Sequence, residues 1–410
     1  MTQTWERRLI EVEVGAVAHG GHCVARHEGR VVFVRHALPG ERVVVRITED
    51  TGGSFCRGDA VEVLHASPDR VEPPCPFARP GLCGGCDWQH ASWPAQRELK
   101  AAVVAEQLHR LAGLDREVVV EALPGGPEDW RTRVRLAVGR DGRPGFRAHR
   151  SHEVIPVDHC VITVPGALDG VLDRTWPARS ELVVTRDAGG EVHLTEVGPP
   201  VARRGGRPAP GPSRLRRGSG RAVEQAAGRT WDVRSDGFWQ VHPAAADTFA
   251  RVVGEWAACR PGDRAWDLYG GVGLFASVLA DQVGPGGSVA VVESSRGAVA
   301  DGEANLADKP QISWHAGRTE AVLDSPGFTD LPPDVVVLDP PRKGAGGQVV
   351  TAIARSGPSR VVYVACDPAA LARDIASFAQ HGYGLTQLRA FDAFPMTHHV
   401  ECVALLEPVR

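Results

Sequence analysis

The stretch RAWDLYGGVGLFASVLA, residues 264–280, has the pattern of a short strand, a glycine-rich turn and an apolar helix. Asp267 precedes the turn, and Gly271 and Gly273 lie within it. Glycines let a backbone come close to a ligand at a helix N-terminus. A second strand, SVAVVE, ends at Glu293, and an acid at this strand tip can accept both hydroxyls of a ribose. The pattern predicts a nucleotide-type cofactor, for which NAD and S-adenosylmethionine are both candidates.

The alternation of strand and helix continues through the rest of the chain. From residue 260 onward, apolar strands end near residues 269, 292, 314, 338, 364 and 388, and a last strand covers 400–407. Strands that are separated by helices form a parallel sheet with helices on both faces. We therefore predict an α/β fold with a catalytic domain at residues 236–410.

The N-terminal half of the chain has a different pattern. Short strands separated by glycine turns are expected at residues 10–17, 31–35, 41–47 and 59–64. This spacing is typical of a small OB-like β-barrel, here a first domain over residues 1–67. Such barrels often bind oligonucleotides, although a structural spacer fits the pattern almost as well.

Residues 68–235 predict a central, mostly β domain with a helix near Pro94. Within it, residues 201–221 are rich in Arg, Gly and Pro and carry no acidic residue. We predict a disordered or extended loop there. It is either a surface insertion or an arm that contacts phosphates.

The composition limits the class of protein. The chain has 410 residues, a net charge of −4 and nine cysteines. This charge does not indicate a nucleic-acid binder, so only local clusters of charge are informative. The sequence has no secretory signal and no apolar run of the roughly 20 residues that a bilayer requires. We therefore expect a cytoplasmic protein with reduced thiols, some of which bind metal or take part in catalysis.

Two further strand ends carry reactive side chains. In DVVVLDPPRKGAG, residues 334–346, two prolines fix the backbone so that Asp339 points into a site at the carboxyl end of the sheet. In YVACDPAALARDI, residues 363–375, a β-branched run ends at Cys366. A free thiol often packs as a small hydrophobic group, but a thiol at this edge of a parallel sheet can also be a nucleophile.

Five motifs occur together in the order GFWQVHP (237–243), DLYGGVGLFA (267–276), VLDPPRKGAG (337–346), YVACDPAALARD (363–374) and FPMTHHVECVALLE (394–407). Together they resemble the RNA uracil-5-methyltransferase family, which methylates tRNA and ribosomal RNA at C5 of uridine. The resemblance covers nearly the whole chain. It implies a class I, Rossmann-like methyltransferase domain, S-adenosylmethionine as the cofactor, and an N-terminal TRAM domain, which is an OB-like RNA-binding module.

The resemblance also implies roles for individual residues. Cys366 matches the family's nucleophile and Glu401 its base. The cofactor site that it implies contains Gln240, Asp267, Tyr269, Gly271, Gly273, Glu293 and Asp339. The chain departs from the family's more usual Ser-Cys-Asn-Pro motif, because Asp367 follows the nucleophile here. An acid beside a thiol tends to raise the pKa of the thiol unless the acid points away.

The chemistry of uracil explains why such a site needs a thiol and a base. C5 is a poor nucleophile until a thiolate adds to C6 and converts the ring to an enolate. C5 then takes the methyl group, a base removes the C5 proton, and the thiolate leaves. The uridine must be flipped out of the RNA to be reached. Two alternatives stay open: methylation of cytosine at C5, and an RNA-binding iron–sulfur protein without catalysis. The sequence leaves tRNA and rRNA open as substrates.

A separate group of cysteines has the spacing of metal ligands. Cys75, Cys83 and Cys86 form a C-x7-C-x2-C pattern, and Cys160 is a candidate for the fourth ligand. A zinc ribbon would show a second C-x2-C pair about 15–20 residues later, and none is present. The family resemblance implies a [4Fe–4S] cluster at these four cysteines, with zinc as the alternative. We interpret four others as structural: Cys23, Cys56, Cys259 and Cys402.

Arginines and aromatic side chains suggest an RNA surface. The arginines that lie close together are Arg131, Arg133, Arg135, Arg140, Arg143, Arg147 and Arg150. With the arginines of 203–217 they are expected to form a basic face. The candidates for stacking on bases are Trp88, Trp93, Phe146, Phe238 and Trp239. We expect RNA as the partner of a monomer, with no membrane and no obligate protein partner.

Overall fold

The first layer of the fold is a curled six-stranded sheet. The computed structural model describes residues 4–201, 209 and 211–409. The strands, in the order β1-β5-β6-β4-β3-β2, are β1 (Leu9–Glu13), β2 (Val17–Ala18), β3 (His22–His27), β4 (Arg30–Arg35), β5 (Arg42–Glu49) and β6 (Phe55–His65). Alternate residues such as Val43, Val45 and Ile47 are buried, as the two-residue period of a strand requires. The prediction of an N-terminal, OB-like β domain is confirmed.

A helix connects this sheet to the C-terminal part of the molecule. Helix α1 (Trp93–Gln107) continues into a π-helical turn (Leu108–Ala112), and strand β7 (Val120–Ala122) follows. Lys100 in α1 is fully buried and donates to Asp392 Oδ1 at 2.5 Å. Removing one partner of a buried ion pair costs about 3–5 kcal/mol. Lys100 therefore fixes α1 firmly against the C-terminal sheet.

A second six-stranded sheet forms most of the central region. Its strands, in the order β10-β9-β8-β11-β12-β13, are β8 (Arg133–Val138), β9 (Pro144–Arg147), β10 (Val154–Pro156), β11 (Glu181–Arg186), β12 (Val192–Val197) and β13 (Ser213–Arg217). The prediction of a disordered or extended loop over residues 201–221 is therefore wrong in part, because β13 lies within this range and pairs with β12. The five side chains of β13 are exposed. Residues 202–208 and 210 of this loop lie outside the described residues.

A β-hairpin links the central sheet to the C-terminal part of the chain. It consists of β14 (Arg221–Ala226) and β15 (Arg229–Arg234), paired antiparallel. Trp231 is fully buried in the same apolar core as Phe249 and Phe391, so the hairpin packs on the C-terminal layer and not on the central sheet alone.

The C-terminal layer is an eight-stranded sheet with helices on both faces. Its order is β18-β17-β16-β19-β20-β22-β21-β7. Its strands, besides β7, are β16 (Arg264–Leu268), β17 (Ser288–Glu293), β18 (Ile312–Ala316), β19 (Val335–Leu338), β20 (Arg360–Ala365), β21 (Tyr383–Asp392) and β22 (Glu401–Pro408). The helices are α2 (Ala245–Ala257), α3 (Leu274–Val283), α4 (Arg296–Asn305), α5 (Thr319–Leu323), α6 (Gly346–Ser356) and α7 (Pro368–Gln380). The prediction of an α/β fold with a Rossmann-like sheet is confirmed.

The strand order fixes where a ligand can bind. Strands β16 to β20 are parallel, and the direction of chain progression reverses between β16 and β19, which are neighbours. Ligands of open α/β sheets bind outside the carboxyl ends of the strands at such a reversal. Strand β22 runs antiparallel to β20, so its first residue lies at the same edge.

The domain boundaries near residues 67 and 235 stay a prediction, because elements of 68–235 lie in more than one layer. Strand β7 pairs with β21 in the C-terminal sheet, whereas β8 to β13 form a sheet of their own. In the part of the chain that the structure describes, no helix has the length and apolar character to cross a bilayer.

Candidate active site

A cavity of about 1000 Å³ opens at the carboxyl ends of the parallel strands. Seven of the nine predicted catalytic and cofactor residues line it: Gln240, Tyr269, Gly271, Glu293, Asp339, Cys366 and Glu401. They come from five strand ends and from the loop after the β14–β15 hairpin. The two that do not line the cavity, Asp267 and Gly273, lie behind its glycine turn.

Asp267 and Gly273 shape this turn from within. Asp267 is fully buried, and its Oδ2 accepts the Ala276 N–H at 2.9 Å, which fixes the start of α3. Burial, with smaller contributions from Asp339 and Glu293, raises the pKa of Asp267 to about 8. Gly273 has a φ of +86°, and a Cβ there would lie 2.8 Å from the Trp314 ring. A side chain at this position would therefore strain the turn.

The acidic tip of β17 closes the glycine turn on its other side. Glu293 Oε2 accepts the Gly271 N–H at 3.1 Å, and Oε1 accepts the Ser295 N–H at 2.5 Å. The carboxylate is half-buried and faces the cavity. The turn and the acid thus form one unit with a carboxylate directed toward the space where a ribose would bind.

Cys366 and Glu401 lie opposite each other at the edge of the sheet. The register pairs Ala365 with Cys402, so the next residue on each strand faces the other. Cys366 is partly exposed to the cavity, whereas Glu401 is buried. The prediction that an antiparallel last strand would bring the two together agrees with this register.

The carboxyl groups control the charge of the site. Burial raises the pKa of Asp339 to about 7, and burial together with the Asp339 charge raises the pKa of Glu401 well above its usual range. Burial, followed by the charges of Glu401 and Asp339, raises the pKa of Cys366 to about 12, and the Arg342 guanidinium opposes this rise. The buried Glu401 carboxyl, the half-buried Asp339 carboxyl and a thiol therefore compete for negative charge in one cavity.

The loop before Glu401 is held by a residue that the sequence analysis missed. Asp87 Oδ2 accepts both the backbone N–H of His398 at 3.1 Å and its ring Nδ1 at 2.6 Å. The His399 ring lies on His398, with 4.1 Å between centroids, and lines the cavity. Arg342 approaches His399 Nε2 at 3.3 Å. Asp87 directly follows Cys86, but nothing in the sequence around Asp87 indicates that it pairs with the distant His398.

The four predicted metal ligands, Cys75, Cys83, Cys86 and Cys160, line a second, smaller cavity. Burial raises the pKa of the Cys83 thiol to about 11, and the Arg131 guanidinium opposes the rise. Within residues 4–201, 209 and 211–409, no three of the four sulfurs lie within 4.8 Å of one another. The four cysteines therefore lie near one another, but their sulfurs are not close enough together to coordinate a single ion.

Several predicted RNA contacts are wrong, because the side chains are buried. Arg133 donates to Glu224 at 2.7 Å and to the Gly237 carbonyl at 2.9 Å, and only 8% of it is exposed. It fixes the loop that carries Gln240. Trp88 and Trp239 belong to apolar cores.

The other candidates for RNA contact divide into two groups. Arg131 and Phe146 line the cysteine cavity, and Trp93 donates to Asp392. Phe238 is 73% exposed at the rim of the large cavity. The exposed arginines near the central sheet are Arg135, Arg140, Arg143, Arg147 and Arg150.

Comparison with known proteins gives matches to both ends of the chain and to its full length. The TRAM domain family matches residues 3–61, and the tRNA (Uracil-5-)-methyltransferase family matches residues 322–409. An uncharacterized RNA methyltransferase of Streptomyces avermitilis is 50% identical over 97% of this chain and 98% of the relative. A 23S rRNA (uracil(1939)-C(5))-methyltransferase RlmD of an Enterobacter species is 33% identical over 98% of this chain and 97% of that protein.

A solved structure is similar over the same length. The tRNA (uracil-54, C5)-methyltransferase of Pyrococcus abyssi, in complex with S-adenosyl-L-homocysteine, has a TM-score of 0.71 and 23% identity to this chain. The match covers 96% of this chain and 99% of that one. At this identity the match shows a shared fold.

Proposed function

Since the chain belongs to the RNA uracil-5-methyltransferase family, we propose that it transfers a methyl group from S-adenosylmethionine to C5 of a uridine in structured RNA. One observation carries this proposal. A thiol, Cys366, and a carboxyl group, Glu401, line the same cavity as a glycine turn with an acidic strand tip. A nucleophile, a base and a methyl donor around one uracil ring are what the reaction requires.

The cofactor half of the cavity is the part around the glycine turn. We assign Glu293 to the ribose hydroxyls and the backbone of Gly271 to close contact with the cofactor. Gln240, Tyr269 and Asp339 line the same space, and Asp267 and Gly273 keep the turn in shape. When bound there, S-adenosylmethionine supplies an electrophilic methyl group to C5.

Cys366 acts in this proposal as the nucleophile. With its pKa raised to about 12, the thiol keeps its proton until uracil is in place. As the sulfur attacks C6, the proton passes to the carboxyl pair of Asp339 and Glu401, which releases it to solvent. Arg342 is the nearby cation that favours negative charge in the cavity, on the thiolate first and then on the enolate.

Glu401 then acts as the base. A raised pKa makes an ionised carboxylate a stronger proton acceptor, so Glu401 is suited to remove the C5 proton once it is ionised. Elimination of the Cys366 thiolate restores the uracil ring, and the thiolate takes up a proton from solvent to become the thiol again. The net products are 5-methyluridine, S-adenosylhomocysteine and one proton.

We further propose that Cys75, Cys83, Cys86 and Cys160 hold a [4Fe–4S] cluster. A tetrahedral zinc ion with Zn–S bonds of about 2.3 Å would draw its sulfurs to within about 3.8 Å of one another. The wider spread of the sulfurs favours a cluster, in which each thiolate binds a different iron. In this role the four cysteines join the loop at 75–86 to Cys160 of the central region.

The RNA substrate that we favour is large-subunit ribosomal RNA. The similarity to the Enterobacter 23S rRNA enzyme extends over 98% of this chain, whereas the similarity to the tRNA enzyme of Pyrococcus abyssi is one of fold. The exposed arginines of the central sheet and of β13 offer phosphate contacts, and Phe238 offers an aromatic face for a base. We expect the protein to act as a monomer in the cytoplasm, where this RNA is found.

The test uses RNA that carries tritium at C5 of uridine. Ribosomal RNA and tRNA from cells that lack this protein are each incubated with S-adenosylmethionine and the protein, and tritium released to water is counted. We expect release from ribosomal RNA by the wild type and by Cys259→Ala, whose thiol lies outside both cavities. We expect none from Cys366→Ala.

Other outcomes identify the alternatives. Release from tRNA alone would keep the chemistry and change the substrate. Methylation of cytidine without tritium release would support the cytosine reaction. RNA binding without methyl transfer would support the RNA-binding protein without catalysis.

A further inference from the structure

One turn of the N-terminal sheet contacts the residue that follows Cys366 in the sequence. The turn between β2 and β3, residues 19–21, lies against the start of α7. His19 Nε2 lies 3.0 Å from Asp367 Oδ2, and Asp367 directly follows Cys366. The hydrogen bond therefore joins two domains at the residue next to the proposed nucleophile.

Asp367 holds the beginning of α7 with its other oxygen. Oδ1 accepts the Ala370 N–H at 2.7 Å, which makes Asp367 the N-cap of the helix, and Pro368 follows at the first helical position. Both carboxylate oxygens are thus engaged, one by the helix and one by His19. Cys366 lies on the backbone between this cap and β20.

The same turn also touches the loop that leads to Glu401. Gly21 has a φ of +80°, and a Cβ there would lie 3.0 Å from Asp87 Cγ and 3.1 Å from His398 Cβ. Only glycine fits this approach without displacing the Asp87–His398 pair. The turn is therefore packed against both loops that carry the proposed catalytic residues.

The N-terminal domain is firmly docked in this position. Its apolar core includes Trp88, which follows the loop at 75–86, and Ala95 and Val103 of α1. Helix α1 is in turn fixed by the buried Lys100–Asp392 pair. Residues 19–21 are thus presented by a rigid support.

The charge of Asp367 gives this contact a second consequence. Asp367 adds to the negative charges around Cys366, which are Glu401 on β22 and Asp339 after β19, while Arg342 from the next loop opposes them. Burial works against ionisation of Asp367, but hydrogen bonds from His19 and Ala370 outweigh it and hold its pKa below the usual value. Arg373 on α7 acts in the same direction as His19.

We propose that His19 is a positioning residue for the reaction: it holds the Asp367 carboxylate away from the Cys366 sulfur and so sets the position and reactivity of the nucleophile. The family's usual asparagine at this place would cap the helix without adding a charge. The aspartate of this chain caps it equally well, and the hydrogen bond to His19 holds the free carboxylate oxygen in place. This inference rests on the nucleophilic role proposed for Cys366.

The test measures the reactivity of Cys366 without RNA. The full-length protein is treated with iodoacetamide, and the rate of alkylation of the Cys366 peptide is followed by mass spectrometry, with the Cys259 peptide as an internal reference. The variants are His19→Ala, His19→Gln, Asp367→Asn and the double variant His19→Ala/Asp367→Asn. His65→Ala is the matched control, because His65 is an exposed histidine at the end of β6 in the same domain.

We expect His19→Ala to slow alkylation of Cys366 about fivefold to tenfold, a coupling of the size found for residues in contact. His19→Gln should recover most of the rate, because its amide can donate the same hydrogen bond. In the Asp367→Asn background, His19→Ala should have little effect. The rate of single-turnover methyl transfer should fall in the same order, with unchanged affinity for S-adenosylmethionine.

Two results would overturn the proposal. One is a Cys366 alkylation rate in His19→Ala equal to that in His65→Ala. The other is a His19→Ala substitution that slows Cys366 alkylation equally in the wild-type and the Asp367→Asn backgrounds. A failure of methyl transfer with every RNA, with the alkylation pattern as expected, would instead count against the proposed function and leave the role of His19 intact.

Discussion

Two cavities of this molecule are lined by thiols, and they are built in different ways. In the large cavity Cys366 follows β20, Glu401 begins β22 and Asp339 follows β19, so the hydrogen-bond register of one sheet places all three. In the small cavity three cysteines lie on the loop at 75–86, and Cys160 comes from a turn after β10.

The difference concerns what holds each site together. Strand ends are fixed by the sheet whether or not a ligand is bound, so the large cavity is preformed. Loops depend on their own contacts, and a bound metal would supply cross-links between residues that are distant in sequence. Burial raises thiol pKa values in both cavities, and an arginine opposes the rise in each. The groups that reinforce the rise differ: they are carboxylates at Cys366 and the neighbouring cysteines at Cys83.

The largest effects should come from replacing one thiol in each cavity. Cys366→Ala should lower uridine methylation by at least about a thousandfold, because the covalent step is lost. Iron content and melting temperature should stay at wild-type values. Cys83→Ala should instead change both of these properties: the protein should lose iron and melt at a lower temperature.

Metal analysis, thermal unfolding and the tritium assay on the same preparations would check this. If Cys366→Ala lost iron, or Cys83→Ala kept it, the two cavities would not be separate sites. Zinc in place of iron in the wild type would contradict the cluster assignment while keeping the four ligands.

The next largest effect should come from Glu401→Gln, which tests the strand-end cavity alone. The glutamine keeps the shape but cannot take the C5 proton, so turnover should fall about a hundredfold or more. Because the thiol is intact, a covalent RNA–protein adduct should accumulate and survive denaturing electrophoresis. Glu407→Gln on the same strand, outside the cavity, is the matched control. Normal turnover in Glu401→Gln would assign the base to another group.

A smaller effect is expected from Asp339→Asn, and it depends on pH. The folded-state pKa of Asp339 is raised to about 7, above its value of about 3.9 in an unfolded chain. Ionisation therefore costs folding free energy, and this cost grows as the pH rises from about 4 through 7. Without cofactor, Asp339→Asn should melt at a higher temperature than the wild type at pH 8 and at nearly the same temperature at pH 4. A constant difference across this range would contradict the raised pKa.

The smallest effect should come from Arg131→Met in the cysteine cavity. Removing this partly buried cation should speed the loss of metal to a chelator about twofold to fivefold, the size expected for one partly exposed charge. Arg135→Met, on the exposed part of the same strand region, should leave the rate unchanged. A rate that does not change in Arg131→Met would show that the positive charge has no part in holding the metal.

The sequence predicted the strand-end cavity well, because its signals are local. A β-branched run followed by a turn indicates where a strand ends, and in a parallel sheet the ends of successive strands meet at one edge. Cys366 and Asp339 could be placed in this way. Glu401 needed the family resemblance and the direction of the last strand, which short-range patterns do not give.

The sequence did not predict which polar side chains would be covered. Arg133 and Arg135 share a face of β8 by the two-residue period, yet Arg133 is buried and Arg135 is exposed. Arg133 is buried by Glu224 and by the loop near Gly237, which are both distant from Arg133 in the sequence. Asp87 and His19 were missed for the same reason, since Asp87 pairs with the distant His398 and His19 with the distant Asp367.

Strand β7 has a consequence for the synthesis of the protein. Its three residues pair with β21, and nearby Lys100 is buried against Asp392, 292 residues away in the sequence. At the usual rate of translation, α1 and β7 leave the ribosome roughly 15–60 seconds before their partners exist. During this interval Lys100 and the apolar face of α1 remain in water, and the edge strand β7 has no strand to pair with. Helix α1 and strand β7 therefore cannot complete their packing until β21 has been synthesised.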